Sequence, residues 1–108
     1  MTLDEYELAA ARTLNAALGE RERLFDAAAG LAEEAGEVLG QVRKHLYQDR
    51  PLDRERLTTE LGDALWCLTI AARSAGISLD AVARANVEKL ARRYPDGFST
   101  ENASRGEA

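Results

Sequence analysis

Two short acidic clusters, Glu33-Glu34-x-x-Glu37 and Glu60-x-x-Asp63, each lie inside a stretch that otherwise has the apolar periodicity of a core helix. On a helical wheel Glu33, Glu34 and Glu37 share one arc, with Gly30 among them. Solvent-facing helices relieve such acids with Lys or Arg three or four residues away, yet no basic residue holds any of those positions around the first cluster. The second has only Arg56, four residues before Glu60 in the less favourable order. Carboxylates gathered from two helices are hard oxygen ligands, which suit Mg²⁺, with Mn²⁺ as an alternative, and do not suit zinc, copper or an iron-sulfur cluster. Mg²⁺ is usually shared between carboxylates and substrate phosphates, so the chemistry implied is phosphoryl transfer. A single cluster of this kind is better read as a solvated acidic face; two unpaired clusters on successive helices, lined with glycine, favour a site. A di-iron carboxylate bundle would need Glu-x-x-His, and the one histidine, His45, follows Val42 at that offset.

Donors stand further along the chain. Asn86, Lys89 and Arg93 lie at i, i+3 and i+7 on one side of a helix, a line of groups suited to phosphate oxygens, although cations in a last helical turn also serve the helix dipole. Lys44 falls between Glu33 and Glu37 on the wheel, roughly 10 Å further along the axis. Trp66, beside the second cluster, offers a ring for a nucleobase or, alternatively, for the core.

These residues need helices to hold them, and the pattern supplies four. Thr2-x-x-Glu5 reads as a capping box opening a helix from about Leu3 to Leu18. A second runs from about Glu22 to Leu46; Gly30, Gly36 and Gly40 inside it each weaken it by about 1 kcal/mol relative to Ala, which the close approach of a ligand or another helix would explain. Asp53 caps a third that ends at Gly76, with a stripe including Leu57, Leu61, Leu65 and Leu68 as its core side and with Trp66, Cys67 and Ile70 on the side of the acids. Ser78 caps a fourth, stopped by Pro95 and Asp96-Gly97. Residues after Phe98 are small and polar and read as a disordered tail, 99–108. No segment alternates as a strand does. The expected fold is all-α, a four-helix bundle-type domain over 1–98.

The chain has 108 residues, one domain near the size at which helical proteins gain by self-association. Trp66, Cys67 and Ile70 need burial beyond one packed stripe, which implies a homo-oligomer. The formal net charge of −5 argues against nucleic acid or an anionic membrane as partner. No apolar run reaches about 18 residues, and the first residues are acidic where a secretory signal is basic, so a cytoplasmic location is expected. One cysteine, Cys67, excludes a disulfide framework and a thiolate zinc site within the chain.

Gly30-Leu31-x-Glu33-Glu34-x-Gly36-Glu37, then Glu60-Leu61-Gly62-Asp63, then Asn86-x-x-Lys89-Leu90-x-x-Arg93-Tyr94-Pro95, resembles the ordered motif set of the all-α nucleoside triphosphate pyrophosphohydrolases, the MazG-like group. The resemblance covers about Tyr6 to Phe98. It implies a self-associating helical bundle, tetramer or alternatively dimer, that hydrolyses a nucleoside triphosphate to the monophosphate and pyrophosphate with Mg²⁺. It further implies Glu34, Glu37, Glu60 and Asp63 as metal ligands and Glu33 as the acid assisting the metals or the attacking water. Lys89 and Arg93 would hold phosphates, with Asn86 near the substrate. House-cleaning of the nucleotide pool is among that group's roles, and base selectivity is not legible in the motifs. The rival from another class is a non-catalytic helical interaction module that retains the fold; all five acids being present counts against it.

Overall fold

In the computed structural model, which describes residues 1–104, the chain is all-α: α1 (Leu3–Ala11), α2 (Glu20–Tyr47), α3 (Arg54–Ser74), α4 (Leu79–Arg93) and a short α5 (Thr100–Ser104). No β-strand occurs among the described residues. The caps are those expected. Thr2 and Glu5 exchange hydrogen bonds in a capping box, Asp53 accepts the Arg56 N–H at 3.0 Å, and Ser78 accepts the Ala81 N–H at 3.0 Å. α3 closes in a Schellman motif: Gly76 turns left-handed at φ 77°, Ile77 N–H donates to the Ala72 carbonyl and Gly76 N–H to that of Arg73.

Two expectations about the extent of the helices are corrected. α1 stops at Ala11 instead of reaching Leu18, because Thr13 donates its hydroxyl to the Ala10 carbonyl and Asn15 accepts the Ala17 N–H, local bonds that compete with the helical ladder. Of the expected disordered tail, 99–104 contains α5, opened by Ser99 Oγ accepting the Asn102 N–H; residues 105–108 lie outside the described residues.

α2 and α3 form the long antiparallel hairpin that carries everything else. Its register is legible in the contacts: Gly30 meets Cys67, Glu34 lies among Asp63 and Glu60, and Gln41 and Lys44 line one cavity with Arg56 and Asp53, so that numbers rise on one helix as they fall on the other. α4 leaves the end of α3 at about 100° and packs on α1 and α3. Glu7 of α1 ties this junction, one carboxylate oxygen accepting from the Arg73 guanidinium at 3.0 Å and the other from the Leu79 N–H at 2.8 Å.

The face of α3 that packs inward is the reverse of the one expected. Glu60, Cys67, Thr69 and Ile70 are buried and Trp66 packs on the Ala10, Ala27, Ile70 cluster, whereas Leu61 and Leu65 of the expected core stripe are exposed. The helix is apolar nearly all round, so hydrophobicity does not choose the inner face; the approach to α2 at Gly30 does. The need of Trp66, Cys67 and Ile70 for an outside partner is thereby removed. A different surplus takes its place, since Phe25, Leu39, Leu46, Leu61, Val87 and Leu90 are exposed. The radius of gyration is 16.7 Å, against about 13 Å for a compact domain of this length.

A Cβ added at Gly30 would stand 2.8 Å from Cys67 Sγ, while at Gly36 it would meet nothing within 4 Å. Gly36→Ala should therefore raise stability by up to about 1 kcal/mol through helix propensity, and Gly30→Ala should forfeit that gain. Thermal melting of both in wild-type and Cys67→Ala backgrounds checks this: the difference between the two glycine sites should shrink once the sulfur is gone. Equal effects at both sites in both backgrounds would contradict the contact.

Candidate functional site

The acids meet across the hairpin. Glu34 is half-buried on α2, Glu60 is buried on α3, and Glu33, Glu37 and Asp63 are exposed at the edges of the same groove. Burial first, and then the charges of Asp63, Glu37, Glu60 and Glu33, hold the Glu34 carboxyl above its ordinary range. The five acids singled out in the sequence are thus one electrostatic unit. Its only basic partner at ion-pair distance is Arg56, whose Nε lies 3.4 Å from Glu60 Oε1, among the described residues. Glu60 Oε2 is buried and has no hydrogen-bond partner among them. A buried carboxylate oxygen left unpaired is strongly unfavourable, so this position wants a cation.

No group of three or more His, Cys, Asp or Glu side chains among the described residues is drawn tightly enough together to hold a metal ion. The acids stand apart as like charges do. Their donor set nevertheless fits a hard divalent cation: oxygens only, one of them buried and unsatisfied, another destabilised by its neighbours.

Two further residues, neither of them among the expected site residues, border the groove. Tyr6 of α1 packs against the core, and burial, followed by the Asp63 and Cys67 charges, raises its phenol above the usual value. Cys67 is likewise pushed up, by burial and then by Glu34, Asp63, Asp26 and Glu33, which keeps the thiol protonated and unreactive. Tyr6 has no local sequence signal, because tertiary packing brings it to the acids, whereas Cys67 shares the acids' side of α3 as its spacing from Asp63 indicates.

The other expected site residues divide. Trp66 is half-buried: its indole N–H donates to Thr13 Oγ1 at 2.8 Å and its ring packs against the core cluster, the second of the two roles its position offered. Lys44 lines a cavity with Gln41, Arg50, Pro51, Asp53 and Arg56, next to the acids and not among them. Asn86 is exposed, and Lys89 and Arg93 are half-buried on the last two turns of α4, a helix that packs on α1 and α3. In the acidic hairpin only α2 and α3 contribute carboxylates.

An antiparallel helical hairpin whose groove collects five carboxylates defines an all-α protein with a concentrated acidic site. A family model for the MazG nucleotide pyrophosphohydrolase domain matches residues 24–98, which takes in both clusters and the α4 donors, and the chain belongs to that family. It is also similar to an uncharacterized protein of Bacillus subtilis strain 168, YvdC, being 37% identical over 73 residues that make up 59% of this chain and 69% of that one. No solved structure matches.

The raised Glu34 pKa has a definite consequence for stability. The folded chain holds that proton more tightly than the unfolded one, so stability falls as pH rises from the ordinary value of 4.5 through the raised one and stays reduced above it. Glu34→Gln should raise the melting temperature at pH 7 in chelator, and the gain should vanish as pH falls to the ordinary carboxylate range. A lower melting temperature for the variant at pH 7 would mean that Glu34 makes a favourable contact the charges conceal.

Proposed function

We propose that this chain is a Mg²⁺-dependent nucleoside triphosphate pyrophosphohydrolase, with Mn²⁺ able to replace Mg²⁺, acting on the α–β anhydride of a ribo- or deoxyribonucleotide. Glu60 carries this reading: a buried carboxylate oxygen without a hydrogen-bond partner, beside Glu34 and its crowded neighbours in a chain of the MazG family, favours positive charge there. Glu34, Glu37, Glu60 and Asp63 would hold the cation. When bound, it supplies positive charge to the phosphoryl oxygens and lowers the pKa of coordinated water.

The chain's own groups do the rest. Glu33, exposed at the edge of the groove, accepts the proton of the water whose oxygen bonds to phosphorus, while the bridging oxygen departs with pyrophosphate. Lys89 and Arg93 neutralise phosphate oxygens, and Asn86 contributes an amide near the substrate. The transition state is loose and charge-rich, so positioning and cations do most of the catalytic work. Small, strongly charged contacts of this kind leave the base loosely read, in keeping with house-cleaning of the nucleotide pool. A cytoplasmic location suits that substrate.

The exposed leucines of α2 and α3 and the extended shape support a homo-oligomer, a tetramer of two dimers or a dimer. A second copy would cover Leu61 and Leu65 and bring its own α4 into reach of a neighbouring groove.

Incubation with a panel of nucleoside triphosphates and Mg²⁺, with product analysis, tests the reading. Monophosphate and pyrophosphate should form; Glu37→Ala and Asp63→Ala should abolish turnover, whereas Lys89→Ala should leave a residue with weaker substrate binding. Inorganic phosphate as the only product, or activity that survives both acid substitutions in chelator, would overturn it.

A further inference from the structure

We propose that the cavity between the C-terminal end of α2 and the N-terminal end of α3 is a diphosphate subsite, built by Gln41, Lys44, Arg50 and Arg56, which takes the pyrophosphate end of the substrate. The proposal rests on the hydrolase reading above, whose motifs do not include Gln41, Arg50 or Arg56 as substrate contacts.

The cavity has a volume of about 260 Å³ and is lined by Gln41, Lys44, Arg50, Pro51, Asp53 and Arg56. Ligand pockets for drug-sized molecules run to about 300–1,000 Å³, so the space is small for a whole nucleoside triphosphate and ample for two phosphates. Three cations face one carboxylate, and that carboxylate is already engaged, since Asp53 Oδ1 accepts the Arg56 N–H as the cap of α3. Lys44 and Arg50 form no ion pair among the described residues. In a chain of net charge −5, two unneutralised cations side by side mark a place for an anion.

Gln41 is the observation that turns a basic patch into a site. It is 9% exposed, it lines the cavity, and its amide makes no hydrogen bond among the described residues. The amide opens onto the cavity instead of bonding within the protein, and its N–H₂ suits a phosphate oxygen.

The loop that presents Arg50 is held in place. The His45 ring nitrogen Nδ1 donates to the Arg50 carbonyl at 2.8 Å, the Arg50 N–H returns to the Lys44 carbonyl at 3.4 Å, and Pro51 restricts the backbone of Arg50 before it. Arg56 links cavity to groove, because the same guanidinium that contacts Glu60 lines the cavity wall. Gln41 and Lys44 follow Glu37 by one and two turns of α2. A diphosphate seated here therefore adjoins the carboxylates, leaving the nucleoside outside.

Titration calorimetry with inorganic pyrophosphate in Mg²⁺, alongside kinetics with the best triphosphate, tests this on wild type, Arg50→Ala, Gln41→Leu and the neighbouring surface control Arg43→Ala. Arg50→Ala should weaken pyrophosphate binding and raise KM by about tenfold or more, with kcat little changed and the melting temperature preserved. Gln41→Leu should follow it in direction, and Arg43→Ala should match wild type. If pyrophosphate binding and KM are unchanged in Arg50→Ala, or are weakened equally in Arg43→Ala, the subsite is wrong even where the chain hydrolyses triphosphates. Pyrophosphate binding that is lost selectively in Arg50→Ala, in a chain without turnover, would instead uphold the subsite and remove the hydrolase reading.

Discussion

The contact between Gly30 and Cys67 sets the geometry on which the site depends. A side chain at residue 30 would press on the sulfur, so α2 and α3 close together there and nowhere need to slide. Antiparallel helices locked at that point bring Glu34, one turn later, among Asp63 and Glu60 of α3. The register that buries Ile70 and Cys67 at one end thus produces a concentration of negative charge in the middle and a basic cavity toward the α2–α3 loop. Packing, charge and the loop anchored by His45 follow from one helix–helix approach.

The charge pattern along the hairpin has a direction. Core lies at one end, five carboxylates in the groove, and Lys44, Arg50 and Arg56 beyond them. Helix pairs that only need to be stable do not bury a carboxylate oxygen without a donor, because replacing such an ion by a hydrocarbon is commonly neutral or stabilising. Glu60 is held in that position by the fold. Under the proposed function, a polyphosphate carrying a divalent cation would match both the acidic and the basic stretch at once.

Much of this was legible in the amino-acid pattern. Asp53, Ser78 and Thr2 marked helix starts because a side-chain oxygen at those positions satisfies first-turn N–H groups, and Gly76 marked a stop because the Schellman turn needs a left-handed residue. The acids were conspicuous for lacking local cations, a property of spacing alone. What depended on tertiary structure was not legible. Periodicity could not choose the inner face of α3, since both faces are apolar, and so it put Leu61 in the core stripe and left Trp66 to be covered by a partner copy, whereas the chain exposes Leu61 and packs Trp66 on its own core. It ran α1 too far because Thr13 and Asn15 end the helix through side-chain bonds that an apolar stripe does not register. Tyr6, Gln41 and Arg50 carry no motif, and gain meaning only from what the fold puts beside them.

The central claim is that the carboxylate groove is assembled for a divalent cation, with Glu60 as its buried anchor. Thermal unfolding of chelator-stripped protein during titration with Mn²⁺ tests it without reference to turnover or substrate. A cation that binds only the folded chain should raise the melting temperature progressively, by roughly 10 °C or more at a hundredfold excess over Kd, and Glu60→Gln should abolish most of that rise while folding normally. A melting temperature that does not respond to Mn²⁺, or that responds equally in Glu60→Gln, would contradict the account.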